Sequence, residues 1–251
     1  MTDHVLVERR DATQLVRLNR PEKKNAITRA MYARMAAALA EGDADPAVRV
    51  HVILGLPGAF SAGNDLSDFL AVAMGGETGS EVFEFLAALA TTAKPLLSGA
   101  DGVAVGIGTT LHFHCDLAFA TPRTVFHTPF VDLGLVPEAG SSLLAPALLG
   151  RQAAFALLAL GEPLPAERAR DAGLIHAVVP EEGLEEAVFE TAARLAAKPP
   201  EALRIARDLM LGDRRAVLDR IGVEAEHFLG RLGSDEAKAA FMAFMQRKKA
   251  S

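Results

Sequence analysis

Along the chain the spacing of hydrophobic positions switches repeatedly between a period of two and a period near 3.6, the signatures of strand and helix. Val5 to Glu8 and Gln14 to Asn19 read as two short strands joined by a turn at Arg10-Asp11-Ala12. Thr28 has the chemistry of a helix N-cap, Met31, Met35, Ala38 and Leu39 recur at helical spacing, and Gly42 marks the end. Val48, Val50, Val52 and Leu54 alternate with Arg49, His51 and Ile53, which predicts a strand with one face better buried. A helix over Glu81 to Thr91 and a strand over Pro95 to Ala100 follow; between them Met74 to Ser80 (MGGETGS) reads as a mobile flap. Beyond Ser142 the pattern turns helical. Gly150 to Leu160 and Pro165 to Ala172 are helix candidates, Ile175 to Val179 is a strand, and Leu184, Val188, Thr191 and Leu195 line a helix that Pro199-Pro200 interrupts. Three more helices come after Pro200. One carries Val217, Leu218, Ile221, Ala225, Phe228 and Leu229 on a single face, and the last carries Phe241, Phe244 and Met245. No internal repeat is visible in the sequence. Alternating strands and helices followed by a helical tail predict an α/β fold with an α-helical C-terminal part.

The stretch from Asp101 to Ser142 holds the most distinctive chemistry. A glycine turn, Val105-Gly106-Ile107-Gly108, lies between a predicted strand and a helix; Ala62-Gly63-Asn64-Asp65 is a second turn of the same kind. Such turns leave backbone N–H groups without intrahelical partners, free to point at an anionic oxygen. Two donors aimed at one carbonyl oxygen make an oxyanion hole. Further on, Val136-Pro137-Glu138-Ala139-Gly140 sets one acid among hydrophobes; between Phe126 and Ala145 the only other acid is Asp132. Glu138 is then either a base awaiting a substrate or a first-turn helix acid favoured by the macrodipole.

Composition narrows the classes. With 251 residues, half of them hydrophobic, the chain can bury a large core as one domain or one domain plus an appendage. A net charge of −6 gives no pull toward nucleic acid or an anionic membrane. Cys115 is the single cysteine, so no internal disulfide forms, and a reducing compartment fits. The N-terminus lacks an apolar signal region, no apolar run reaches ~18 residues, and Lys248-Lys249-Ala250-Ser251 is not a peroxisomal address of the Ser-Lys-Leu kind. A cytoplasmic protein with no membrane and no nucleic-acid partner is the expectation. GIGTTL lacks the third glycine of a dinucleotide-binding turn, and there is no Gly-x-Ser-x-Gly elbow. On a helix His112 and His114 would lie roughly 200° apart and could not share one ion, so no metal site is expected. Arg20, Lys23, Lys24 and Arg29 cluster against one acid, Glu22, which is either a solvated loop or a receiver of a polyphosphate.

Taken in order, LNRPEKKNAIT (Leu18 to Thr28), FSAGNDL, DGVAVGIG, FHTPFVDLGLVPEAGSS and AGLIHAVV resemble the crotonase (enoyl-CoA hydratase/isomerase) superfamily over nearly the whole chain. SAGNDL, FHTPF-x-x-LG and PE-x-x-SS look most like the peroxisomal-type Δ3,Δ2-enoyl-CoA isomerases. The resemblance implies a spiral of repeated ββα units, with a core and CoA-thioester site in residues 1–195 and an oligomerising helical region in 196–251. It also implies a homotrimer or dimer of trimers, a place in fatty acid β-oxidation, and an acyl-CoA substrate with no separate cofactor. By the same resemblance the N–H groups of Asn64 and Ile107 form the oxyanion hole and Glu138 is the catalytic acid/base. Ala62, Gly63, Asp65 and Leu66 line the thioester and pantetheine region, Lys23 and Lys24 lie toward the CoA phosphates, and Ala26 and Phe130 complete the substrate-binding set. Phe130, Leu135 and Val136 are expected as apolar surroundings that raise the Glu138 pKa. The two water-activating glutamates of the hydratases correspond to Thr110 and Phe130, neither of which serves as a base at neutral pH. The resemblance therefore implies a 3-enoyl-CoA to 2-enoyl-CoA isomerase, with another acyl-CoA reaction of the superfamily or non-catalytic acyl-CoA binding as the alternatives.

Overall fold

Strands β1 (Val5–Arg10) and β2 (Thr13–Leu18) form an antiparallel hairpin around Asp11, which takes a left-handed conformation. In the computed structural model, which describes residues 3–65, 67–68 and 79–250 (without the side chains of 244, 245 and 247–250), the next strands come in pairs. β3 (Val50–Leu54), β5 (Leu96–Ala100) and β7 (Leu117–Ala120) join one sheet; their successors β4 (Ala59–Ser61), β6 (Val103–Val105) and β8 (Val125–His127) join another. Each pair thus advances one position in both sheets, which is a spiral. The first sheet has the order β1-β2-β3-β5-β7-β10 and the second β4-β6-β8-β9, with β9 (Leu164–Pro165) and β10 (Ala177–Val178) at their edges. Within these sheets β2-β3-β5-β7-β10 and β4-β6-β8 run parallel.

Helices close each turn: α1 (Arg29–Ala44), α2 (Glu81–Thr91), the short α3 (Ile107–Thr110), α4 (Ser141–Leu149), α5 (Arg151–Leu158), α6 (Ala166–Ala172) and α7 (Leu184–Ala196). Thr28 caps α1 as its chemistry predicts, accepting from the Met31 N–H. The expected half-buried strand at 48–54 differs. All five residues of β3 are buried, because parallel strands are covered on both faces. Val52, Leu54, Leu15 and Leu97 pack with Leu184, Val188 and Ala192 of α7, whereas Ile53, Val16 and Leu96 point into the main core beneath α1 and α2. His51, fully buried, finds Asp43 at 3.0 Å.

Three helices end the chain: α8 (Pro200–Leu211), α9 (Arg214–Leu232) and α10 (Asp235–Ala250). They do not stand apart from the first 195 residues, since Ile221, Leu232, Ala237 and Phe241 belong to the main hydrophobic cluster. Arg207 is 3% exposed; its Nε reaches both Asp116 oxygens at 2.8 and 2.9 Å and its Nη1 donates to the Thr92 carbonyl. In the apolar stripe from Val217 to Leu229, Ile221 belongs to the core, and Ala225, Phe228 and the part-exposed Leu229 line a cavity described below. Large exposed apolar side chains sit on α8 (Leu209, Met210), on α9 (Val223) and at Phe155 and Leu160. Among the described residues no helix is long and apolar enough to cross a membrane.

Candidate active site

Two glycine turns meet at the ends of adjacent parallel strands β4 and β6. Gly63 has φ +85, and a Cβ there would lie 2.9 Å from the Val105 carbonyl oxygen; a Cβ on Gly108 would lie 2.9 Å from the Ser61 Cβ. Only glycine permits this approach. It brings Gly63, which precedes Asn64, against the backbone of Val105 and Gly106, which precede Ile107. The Ile107 N–H opens α3, whose N-cap, Gly106 (φ 55), donates its own N–H to His127. Among the described residues neither the Asn64 N–H nor the Ile107 N–H has a protein acceptor.

The first turn is held from outside by residues 20–28. Asn25, fully buried, donates to the Ala59 and Phe60 carbonyls and accepts the Ser61 hydroxyl on its own carbonyl. The Ala62 N–H reaches the Lys24 carbonyl at 2.9 Å, and Ile27 bridges Gly63 and Asp65. Arg20 pairs with Asp65 at 2.6 Å. Although burial opposes it, Arg20 and the Ser67 N–H together hold the Asp65 carboxyl below its usual range. Asp65 is thus bound to its own loop. The Asn64 side chain accepts a 2.5 Å hydrogen bond from the Tyr32 hydroxyl, which burial and the nearby Glu138 charge keep protonated.

Glu138 does not sit in a helix first turn. Ala139 (φ 61) and Gly140 (φ 70) are both left-handed, so the chain reverses between Glu138 and the start of α4. His114 donates to the Ala139 carbonyl at 2.7 Å; burial has driven its pKa down to about 4, so the ring is neutral. This reversal turns the Glu138 side chain inward, 7% exposed, where Thr110 of α3 donates to it at 2.5 Å. Burial pushes its pKa up to about 8; the Glu224 charge adds to this and the Thr110 hydrogen bond opposes it. The cap of α4 comes from Glu224 on α9, whose two oxygens accept the Gly140 and Ser142 N–H groups at 2.6 and 2.8 Å.

Glu138 and Asn64 line one cavity. Ile27, Val82, Leu86, Ile221, Phe228 and Leu232 supply most of its apolar wall, with Tyr32 and Glu224 beside them. The apolar shell expected of Phe130, Leu135 and Val136 is therefore supplied by Ile27, just before α1, and by α2 and α9. Phe130 is 5% exposed within the core and is not a wall residue. Ala62 and Ala26 are partly exposed near the loop, Lys23 and Lys24 are fully on the surface, and Leu66 and residues 74–78 lie outside the described residues. Among the described residues no group of His, Cys, Asp or Glu could hold a metal ion. His112 instead bonds Ser98 at 2.7 Å. Two site residues escaped the sequence reading. Tyr32, the single tyrosine, lies one position off the Met31–Met35 stripe. Glu224 falls on the apolar face of α9 with Val217, Ile221 and Phe228, and an acid in such a stripe was the available signal.

Glu138 is a buried carboxyl in an apolar cavity that Asn64 also lines, whereas Ile107, the second residue with a spare N–H, is not among the residues lining it. A buried carboxyl with backbone donors nearby can move a proton beside a carbonyl whose oxygen gains charge. Comparison with known proteins gives this arrangement a family. The sequence profile described as Enoyl-CoA hydratase/isomerase matches residues 8–251. Enoyl-CoA delta isomerase 2 of Rattus norvegicus is 34% identical over 250 residues, 97% of this chain and 64% of the relative. The chain thus spans somewhat less than two thirds of that relative's length. The 2,3-dehydroadipyl-CoA hydratase of Escherichia coli is 26% identical across 97% of this chain and 96% of the relative. The structure of OdaA from Pseudomonas aeruginosa superposes with a TM-score of 0.93 at 40% identity, covering 97% of this chain and 99% of that one. Isomerases and hydratases both stand among the relatives, and the repeated-strand spiral is common ground. The chain belongs to the enoyl-CoA hydratase/isomerase (crotonase) family.

Proposed function

We propose that this protein is an acyl-CoA enzyme that converts a 3-enoyl-CoA to the conjugated 2-enoyl-CoA. The observation that carries this reading is the single carboxyl of Glu138, buried in the cavity that Asn64 also lines, with its pKa pushed up to about 8. The thioester carbonyl and the adjacent alkene acidify the C2 proton. The Glu138 carboxylate takes that proton, and the C–H bonding pair flows into the carbonyl, giving a dienolate with its charge on oxygen. The N–H groups of Asn64 and Ile107 stabilise that oxygen, each donor worth about 10²–10³ in rate. The carboxyl then returns the proton to C4 as the charge collapses back, leaving the double bond between C2 and C3. A raised pKa makes the carboxylate a stronger base than an exposed glutamate, and the apolar wall excludes water that would protonate the dienolate.

Water addition by a two-carboxylate route is disfavoured. The Thr110 hydroxyl donates a hydrogen bond to Glu138 and Phe130 is core, so neither activates water. In this reading Ala62, Gly63 and Asp65 border the thioester, Ala26 belongs to the same substrate-binding loop, and Lys23 and Lys24 lie toward the CoA phosphates. Coenzyme A is part of the substrate and no other cofactor takes part. The reading carries with it a cytoplasmic homotrimer or dimer of trimers. Glu138→Gln preserves shape and removes the base. Turnover of a 3-enoyl-CoA should fall by about 10²–10⁴-fold while acyl-CoA binding, measured by calorimetry, persists. Near-normal turnover by the folded Gln variant would refute the assignment.

A further inference from the structure

We propose that Glu224, on α9, is a positioning residue: it fixes the 138–142 turn and, by its charge, sets the protonation of the Glu138 carboxyl. This rests on the isomerase reading above for the rate effects alone. Three observations converge on Glu224. Both of its oxygens are used, on N–H groups that bracket the start of α4, and the side chain is 6% exposed. The turn it holds contains Ala139 in the left-handed region, a conformation that costs energy for a residue with a Cβ and persists only under outside restraint. His114 supplies restraint on one side and α9 on the other, where a Cβ on Gly140 would come within 3.1 Å of Val217. Finally, Glu224 lines the same cavity as Glu138, so its charge shares one apolar space with the Glu138 carboxyl and disfavours ionisation of the latter.

The other titratable or charged groups lining that cavity are Arg29 and Tyr32 of α1 and Asp68; His114 lies behind the turn, and Arg220, one turn before Glu224, donates to the Ser142 hydroxyl. Of these, Glu224 alone touches the backbone that carries Glu138 and also adds negative charge beside it. The last helices of the chain thereby take part in the chemistry: a residue 86 positions away in sequence holds the base.

Glu224→Gln and Glu224→Asp separate charge from reach. In the full-length Gln variant, 3-hexenoyl-CoA turnover should fall about tenfold with KM within about threefold, and the acid limb of the kcat/KM profile should move at least half a pH unit lower. The Asp variant keeps the charge but shortens the reach, so it should lose turnover with the limb in place. The infrared band of the protonated Glu138 carboxyl, identified by its absence in Glu138→Gln, should titrate at lower pH in Glu224→Gln. That band reads the carboxyl without catalysis. A wild-type protein inactive on 3-enoyl-CoAs would sink the reaction assigned above, while the band still decides the role of Glu224. An unmoved band and limb in a folded Gln variant overturns the proposal, as does full turnover in the Asp variant should the Gln variant fail to fold.

Discussion

A carboxyl enclosed by apolar side chains weighs on the fold in a pH-dependent way. Glu138 has an ordinary value of 4.5 when solvated and about 8 in the folded protein. Between those values the folded state binds the proton more tightly than the unfolded chain, so stability falls as pH rises, and the full penalty is present above about 8. Glutamine at 138 keeps an acceptor for the Thr110 hydroxyl and cannot ionise. Glu138→Gln should therefore melt several degrees above wild type at pH 9, a gain on the order of a few kcal/mol, and the gap should close by pH 5. A gap of the same size at both pH values in thermal melts would contradict the assigned environment. His112 and His114 act in the opposite sense. Burial lowers their pKa values to about 3 and about 4, so the stability that neutral rings provide is lost as pH falls below 6.5 through those values. At this scale Glu138 could be singled out from its neighbours in the sequence, but not told from a helix cap. That distinction depended on two successive left-handed residues, and alanine at one of them gives no local sign of it.

At the scale of elements, the catalytic geometry proposed here depends on two strand ends kept in register. β4 and β6 are three residues each, too short to hold a turn by pairing alone. The approach of Gly63 to Val105 and the tie-down by Asn25, Arg20 and Ile27 supply what the ladder cannot. Gly63→Ala combines a disfavoured φ with a contact 2.9 Å from a backbone oxygen that cannot swing away. It should cost about 1–3 kcal/mol of stability and, by moving the Asn64 N–H, about 10²-fold in kcat. Denaturant titration and steady-state kinetics would check both; a fully active Gly63→Ala protein would remove Asn64 from the oxyanion hole. Helices and strands were largely legible from periodicity, from the hairpin at Asp11 to the helix at 81–91. The burial of β3 on both faces was not, because an Arg49-Val50-His51 alternation looks half-solvated until α1, whose Asp43 pairs with His51, is seen covering the polar-looking face while α7 covers the valines.

Over the whole molecule, the C-terminal helices complete the site. α9 walls the cavity with Ile221, Phe228 and Leu232, and α8 is locked to the first sheet through Arg207 and Asp116. Breaking that pair leaves the Asp116 charge partly buried without its cation. Arg207→Ala should lower stability by about 3 kcal/mol, read as a reduced urea midpoint. If α8 and α9 dock as a unit, acyl-CoA affinity should weaken together with it; an unchanged midpoint would mean the helices are held by apolar contacts alone.

Periodicity, turn glycines and one acid in an apolar loop were enough to determine the fold class, the two candidate donor turns and the candidate base, since each follows from residues close together in the chain. Which way Glu138 points, its link to Thr110, the Tyr32–Asn64 hydrogen bond and the reach of Glu224 across to α4 were decided only by tertiary structure. Those contacts join residues 28 to 84 positions apart. Their energies come from burial and charge in a shared cavity, which no local stretch of sequence contains.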